Sequence, residues 1–145
     1  MSRQTETVHG STVAIGRHGV MFQGRSGSGK SDIALRLIDS GARLVADDQT
    51  ILSRQDGRLF AKAPPQLSGL IEVRGIGILK LPALARTPLS LVVMLNPKGE
   101  IERLPEPKMA EFLGVKVPLI EIMAFEASAV AKLRLALKQY TDNVP

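Results

Sequence analysis

The chain has no cysteine, no tryptophan, one tyrosine and four phenylalanines among its 145 residues. Without thiols, disulfides and thiolate metal ligands are excluded. The 19 Lys and Arg residues give a net charge of +5, but they are scattered along the sequence rather than gathered in runs. A nucleic-acid binder combines dense basic stretches with rings for stacking, so this composition argues against one. Nucleotide phosphates or an acidic protein partner suit such a surface better. No apolar run approaches the roughly 18 residues of a spanning helix. The first residues, Met1 to Thr7, are polar. A cytoplasmic protein away from the membrane is therefore expected. Repeats, low-complexity tracts and linkers are also missing. With 44% hydrophobic residues, the whole of 1–145 is expected to form a single domain around one core.

What is present alternates between short β-prone runs and two helical patterns. Ser11–Ile15 and Val20–Phe22 read as strands joined by Gly16-Arg17-His18-Gly19, and the second runs directly into a glycine-rich loop. From Lys30 the period becomes helical, with Ile33, Ala34, Leu37 and Ile38 on one face and Gly41 as the stop. Ala42–Asp48 is an apolar strand ending in two acids. Thr50–Ser53 and Arg58–Ala61 flank Asp56-Gly57, a dipeptide that favours a tight hairpin. Leu70–Leu79 is a β-like run broken by two glycines, Leu89–Leu95 is a buried strand, and Lys116–Ile122 is another. Ser128–Tyr140 closes as an amphipathic helix with Val130, Leu133, Leu137 and Tyr140 on one side. The fold class expected is α/β, a mixed sheet with flanking helices rather than a purely parallel one.

The glycine loop is Gly24-Arg25-Ser26-Gly27-Ser28-Gly29-Lys30-Ser31. On average residue frequencies its G-x-x-x-x-G-K-[ST] pattern arises by chance about once in two hundred chains of this length. A triphosphate needs many donors converging on its oxygens. Glycines let backbone N–H groups approach, the following helix adds its positive end, Lys30 reaches the β- and γ-phosphates, and the Ser31 hydroxyl is available to Mg²⁺. One helix downstream, Asp47 and Asp48 end a strand, and adjacent strand residues point to opposite sides. The two carboxylates therefore divide between a metal and the hydroxyl that receives the phosphoryl group. Glu72 and Arg74 are expected to share a strand face at i, i+2 spacing. His9 and His18 are uninformative by themselves, and His18 is expected in a turn.

Four segments together go further. Val8-His9-Gly10, the loop through Asp32, Arg43-Leu44-Val45-Ala46-Asp47-Asp48 and Ile71-Glu72-Val73-Arg74-Gly75-Ile76-Gly77-Ile78 resemble, in order and spacing, the catalytic half of the HPr kinase/phosphorylase family. The resemblance implies a fold like the nucleotide-binding part of phosphoenolpyruvate carboxykinase, with ATP and Mg²⁺ as cofactors. It implies a serine of HPr, a phosphocarrier of the sugar phosphotransferase system, as acceptor, and removal of that phosphate by phosphorolysis. By the same resemblance Asp47 is the general base, with His9 and Lys30 also catalytic. Gly24, Ser26, Gly27, Ser28, Gly29, Lys30, Ser31 and Asp32 bind the nucleotide; Ser31, Asp48 and Glu72 hold the metal; Arg74 supports the site. A homo-oligomer, commonly a hexamer, is implied as well.

Two departures stand out. Family members are about twice as long, so a short form without their N-terminal domain is expected. The stretch after Pro118–Ile122, where the resemblance implies an arginine-bearing loop, reads Met123-Ala124-Phe125-Glu126-Ala127-Ser128, which points to weakened phosphorolysis. A nucleotide-binding regulatory module without catalysis and a small-molecule kinase are the alternative functions.

Overall fold

The computed structural model describes residues 4–141. Eleven strands and two helices follow in the order β1 Thr5–His9, β2 Ser11–Ile15, β3 His18–Gln23, α1 Lys30–Asp39, β4 Arg43–Ala46, β5 Gln49–Gln55, β6 Arg58–Lys62, β7 Leu70–Val73, β8 Gly77–Lys80, β9 Thr87–Leu95, β10 Lys108–Phe112, β11 Val115–Ile122 and α2 Ala129–Thr141. Nine of the strands form one curled, mixed sheet: seven run in the order β1-β5-β6-β9-β3-β2-β4, and β11, with β10 paired to it, branches from β9. Along one edge β9 takes β3 in parallel. Its other edge is divided: Thr87 and Pro88 pair with β6 antiparallel, whereas Val92–Leu95 pair with β11 in parallel. The mixed α/β class with flanking helices is thus the fold observed.

The apolar pattern explains the layers. On one face of the sheet Val13, Val20, Phe22, Leu91 and Val93 pack against Ile33, Ala34 and Leu37 of α1 and Ala129, Leu133 and Leu137 of α2. On the other face Met21 and Val92 meet Val8, Leu52, Leu59 and Val117, where the curl of the sheet folds back over itself. Alternate residues of β3 and β9 thus feed two separate clusters, which is why both strands are almost uniformly apolar. Leu133 is fully buried between helix and sheet. Leu133→Ala is expected to remove about 2–5 kcal/mol of stability, seen as a lower urea midpoint at unchanged slope.

Several sequence expectations need correction. The run Leu70–Leu79 is not one strand but a separate two-stranded hairpin, β7 with β8, and Arg74 lies in its turn. Arg74 therefore does not share a strand face with Glu72. His18 begins β3 instead of sitting in the turn, with its Nδ1 3.0 Å from the Ser90 hydroxyl. The edge strands β1 and β10 lay outside the expected elements, because each is mostly exposed and shows little apolar alternation. Pro118 sits inside β11 without cost to the sheet, since pairing with β9 begins only at Leu119.

Candidate active site

The glycine loop links β3 to α1, beside the C-terminal ends of the parallel strands β9 and β11, the usual position for a ligand in such sheets. Gly29 caps α1 with φ of 101° and offers no side chain to the first-turn N–H groups, which stay free for an anion. A Cβ at Gly29 would lie 2.7 Å from the Cβ of Ala124, so the position requires glycine both for its backbone angle and for its clearance. Lys30 folds back over the loop, its Nζ donating to the Gly24 carbonyl at 2.8 Å and the Arg25 carbonyl at 3.2 Å. A bound phosphate would offer that ammonium a charged acceptor in their place.

A cavity of about 630 Å³ opens over this loop. Gly24, Ser26, Gly27, Gly29, Lys30, Ser31 and Asp32 line one side, and His9, Asp48, Glu72 and Arg74 converge on it from three other segments. Ser28 turns its side chain the other way. Its side chain is buried behind the loop, and its hydroxyl has no hydrogen-bond partner among the described residues. Asp32 lines the cavity, but its carboxylate is engaged by Arg36 one turn along the helix at 3.1 Å.

The two aspartates differ sharply in their surroundings. Asp47 is buried, and its carboxylate accepts three hydrogen bonds: from the Ser31 hydroxyl at 2.7 Å, the Ser11 hydroxyl at 2.9 Å and the Glu72 backbone N–H at 3.0 Å. It does not line the cavity. Asp48 is exposed and does. Its backbone stands at φ of 68°, a left-handed conformation that costs a non-glycine residue about 1–3 kcal/mol and persists only when surroundings impose it. The imposing contacts are visible. The Asp48 N–H donates to the Ser11 hydroxyl at 3.0 Å, and its carbonyl accepts from the Gly10 N–H at 2.9 Å. Ser11, a residue that sequence reasoning missed, thus ties one aspartate's carboxylate to the other's backbone. Its signal in the sequence was only its adjacency to His9-Gly10.

The oxygen donors near the loop suit Mg²⁺, which keeps most of its waters and takes one or two protein groups together with substrate phosphates. Among the described residues no three His, Cys, Asp or Glu side chains form a metal-binding group. Ser31 with Asp47 behind it, and the exposed carboxylates of Asp48 and Glu72, are the donors available.

Comparison with known proteins settles the lineage. Residues 1–139 match the family model described as HPr Serine kinase C-terminal domain. The chain belongs to that family. The HPr kinase/phosphorylase of Chlorobium phaeobacteroides (strain DSM 266 / SMG 266 / 2430) is 35% identical, aligned over 94% of this chain and 48% of its own length. That of Mycoplasmopsis pulmonis is 33% identical over 87% of this chain and 45% of its own. The chain therefore spans about half the length of the curated relatives it matches. Among solved structures, the Hpr(Ser) kinase/phosphatase from Coxiella burnetii superposes with a TM-score of 0.80 at 25% identity, covering 95% of this chain and 96% of that one. The kinase-family fold accordingly extends over nearly all of the described chain, including the β10 and β11 region where the sequence motifs fade.

Proposed function

We propose that residues 1–145 form one catalytic domain, an ATP- and Mg²⁺-dependent phosphotransferase that phosphorylates a serine of an HPr-like phosphocarrier in the cytoplasm. The observation that carries this reading is the contact of the Ser31 hydroxyl with the Asp47 carboxylate at 2.7 Å beside an uncapped helix start. It is the pairing of loop hydroxyl and buried acid that phosphate-loop enzymes use at their metal. Mg²⁺ held by Ser31, with Asp47 behind it and Glu72 nearby, would neutralise charge on the β- and γ-phosphates.

The acid roles are exchanged relative to the expectation from resemblance. Asp47 has both oxygens occupied and no open path to a substrate, which suits the metal side. Asp48 faces the cavity, where its carboxylate would take the proton of the acceptor hydroxyl. The serine oxygen then forms a bond to the γ-phosphorus while the bond from that phosphorus to the bridging oxygen breaks, leaving ADP. Lys30 and the loop N–H groups hold the phosphate charge, and His9 and Arg74 stand at the rim where the phosphoryl group and its acceptor meet. In the phosphorolytic direction Asp48 would return the proton to the serine as inorganic phosphate takes the phosphoryl group to give pyrophosphate.

Incubation with labelled ATP, Mg²⁺ and purified HPr, followed by phosphosite mapping, tests the proposal. Label on one serine of HPr is the expected result. ATP binding with no transfer would make the domain a regulatory module, and transfer to a small molecule but not to HPr would make it a different kinase.

A further inference from the structure

We infer that Phe125 is the platform on which the nucleobase stacks, an inference that rests on the glycine loop being a triphosphate cradle. Phe125 is 62% exposed and lines the cavity. The other aromatic rings are occupied. Phe22 is fully buried, Phe60 lies under the Arg86 guanidinium at 3.9 Å, and Phe112 and Tyr140 pack against the two cores. Among the described residues Phe125 is thus the aromatic ring left open at the rim of the site. A ring left in water forgoes the gain of burial, which a stacked base would recover.

The position is held, not incidental. Ring atoms Cζ and Cε1 lie 3.0 and 3.3 Å from where a Cβ of Gly29 would stand, so the ring edge rests over the last glycine of the loop. Ala124, the preceding residue, is buried, and its carbonyl accepts a hydrogen bond from the Arg36 guanidinium, itself held by Asp32. The loop after β11 is therefore pinned to the first two turns of α1.

Helix geometry then assigns the ends of the nucleotide. Successive residues of a helix point about 100° apart. Ser31 is directed to Asp47, while Arg36, held by Asp32, is directed to the Ala124 carbonyl, so the acidic pair and Phe125 flank the helix start on different sides. A triphosphate lying across that start with its γ end at the aspartates brings its α end, and the nucleoside beyond it, towards Phe125. The apolar side chains of Leu35 and Val73 also line the cavity, in keeping with the apolar walls of sites that take heterocycles.

The test compares ATP with inorganic tripolyphosphate, both with Mg²⁺, on the native protein and on Phe125→Ala and Phe125→Trp. Phe125→Ala should weaken ATP by about 5- to 100-fold, the span reported for losing one base–aromatic stack, and leave tripolyphosphate within about twofold. Because the chain has no tryptophan, the indole of Phe125→Trp reports alone, and ATP but not tripolyphosphate should quench it. Unchanged ATP affinity in Phe125→Ala, or equal losses for both ligands, would overturn the platform while leaving the triphosphate cradle standing. Failure of the native protein to bind either ligand would remove the cradle itself, and the platform with it.

Discussion

Asp48→Asn is expected to bind Mg-ATP almost normally and yet transfer phosphate at least about a hundredfold more slowly, the loss typical of a missing general base. Its carboxylate touches no loop donor, and the amide keeps its size, so nucleotide binding has no reason to fall. Asp47→Asn should fail differently. Its carboxylate accepts from two hydroxyls and one backbone N–H, and an amide turns one of its oxygens into a donor facing a donor. That mismatch should lower stability by about 1–3 kcal/mol and raise the Mg²⁺ requirement, because Ser31 loses the partner that orients it. Calorimetric titration of Mg²⁺ and ATP with steady-state transfer rates separates the two patterns. The reverse outcome, a slow but metal-normal Asp47→Asn, would return the base to Asp47. Ser11→Ala is the natural companion. It removes the clamp on both acids and should slow transfer while leaving ATP affinity in place.

The second large effect is at Lys30. With the ammonium gone, the phosphates lose a charge-assisted contact worth about 1.5–3 kcal/mol, a weakening of ATP of about 10- to 100-fold. The fold should tolerate it, because Lys30 Nζ binds only two loop carbonyls and takes no part in the core. Ser28→Ala provides the contrast within the same loop. Its hydroxyl is buried and unpartnered, so its removal should leave ATP affinity unchanged and stability equal or slightly higher. Titration and thermal melting of both variants check this. If Lys30→Ala binds ATP as the native protein does, the cradle is misassigned.

The central layers of the fold were legible because their signals are local. The continuous apolar run of β9, the helical face of α1 and the Asp56-Gly57 turn each constrain their own neighbourhood. The edge strands β1 and β10 were not legible, since an exposed strand has no buried face to pattern its sequence. The site divides similarly. A contiguous loop such as residues 24–31 declares itself, whereas the assignment of Asp47 and Asp48 depends on which one meets Ser11 and Ser31, residues 36 and 16 positions away from Asp47. The alternation rule for neighbouring strand residues says that the two acids part company. It cannot say which is buried, because the strand ends at Ala46 and the chain turns left-handed at Asp48.

The placement of β1 has a consequence for how the molecule opens. This strand pairs with β5 alone, and only Val8 of its five residues is buried. By contrast β3 and β9 are paired on both edges, with Met21, Phe22, Val92 and Val93 fully covered. Amide hydrogen exchange should accordingly be slowest in β3 and β9, at the free energy of global unfolding, and faster in β1, through a partial opening that leaves the centre intact. His9 ends β1, and Gly10, the residue joining it to β2, holds the strained carbonyl side of Asp48. When β1 peels away, the glycine loop and α1 remain in place while the acceptor side of the cavity comes apart. On the function proposed above, nucleotide retention and phosphoryl transfer would draw on regions of different stability, and mild denaturant should extinguish transfer before it releases ATP.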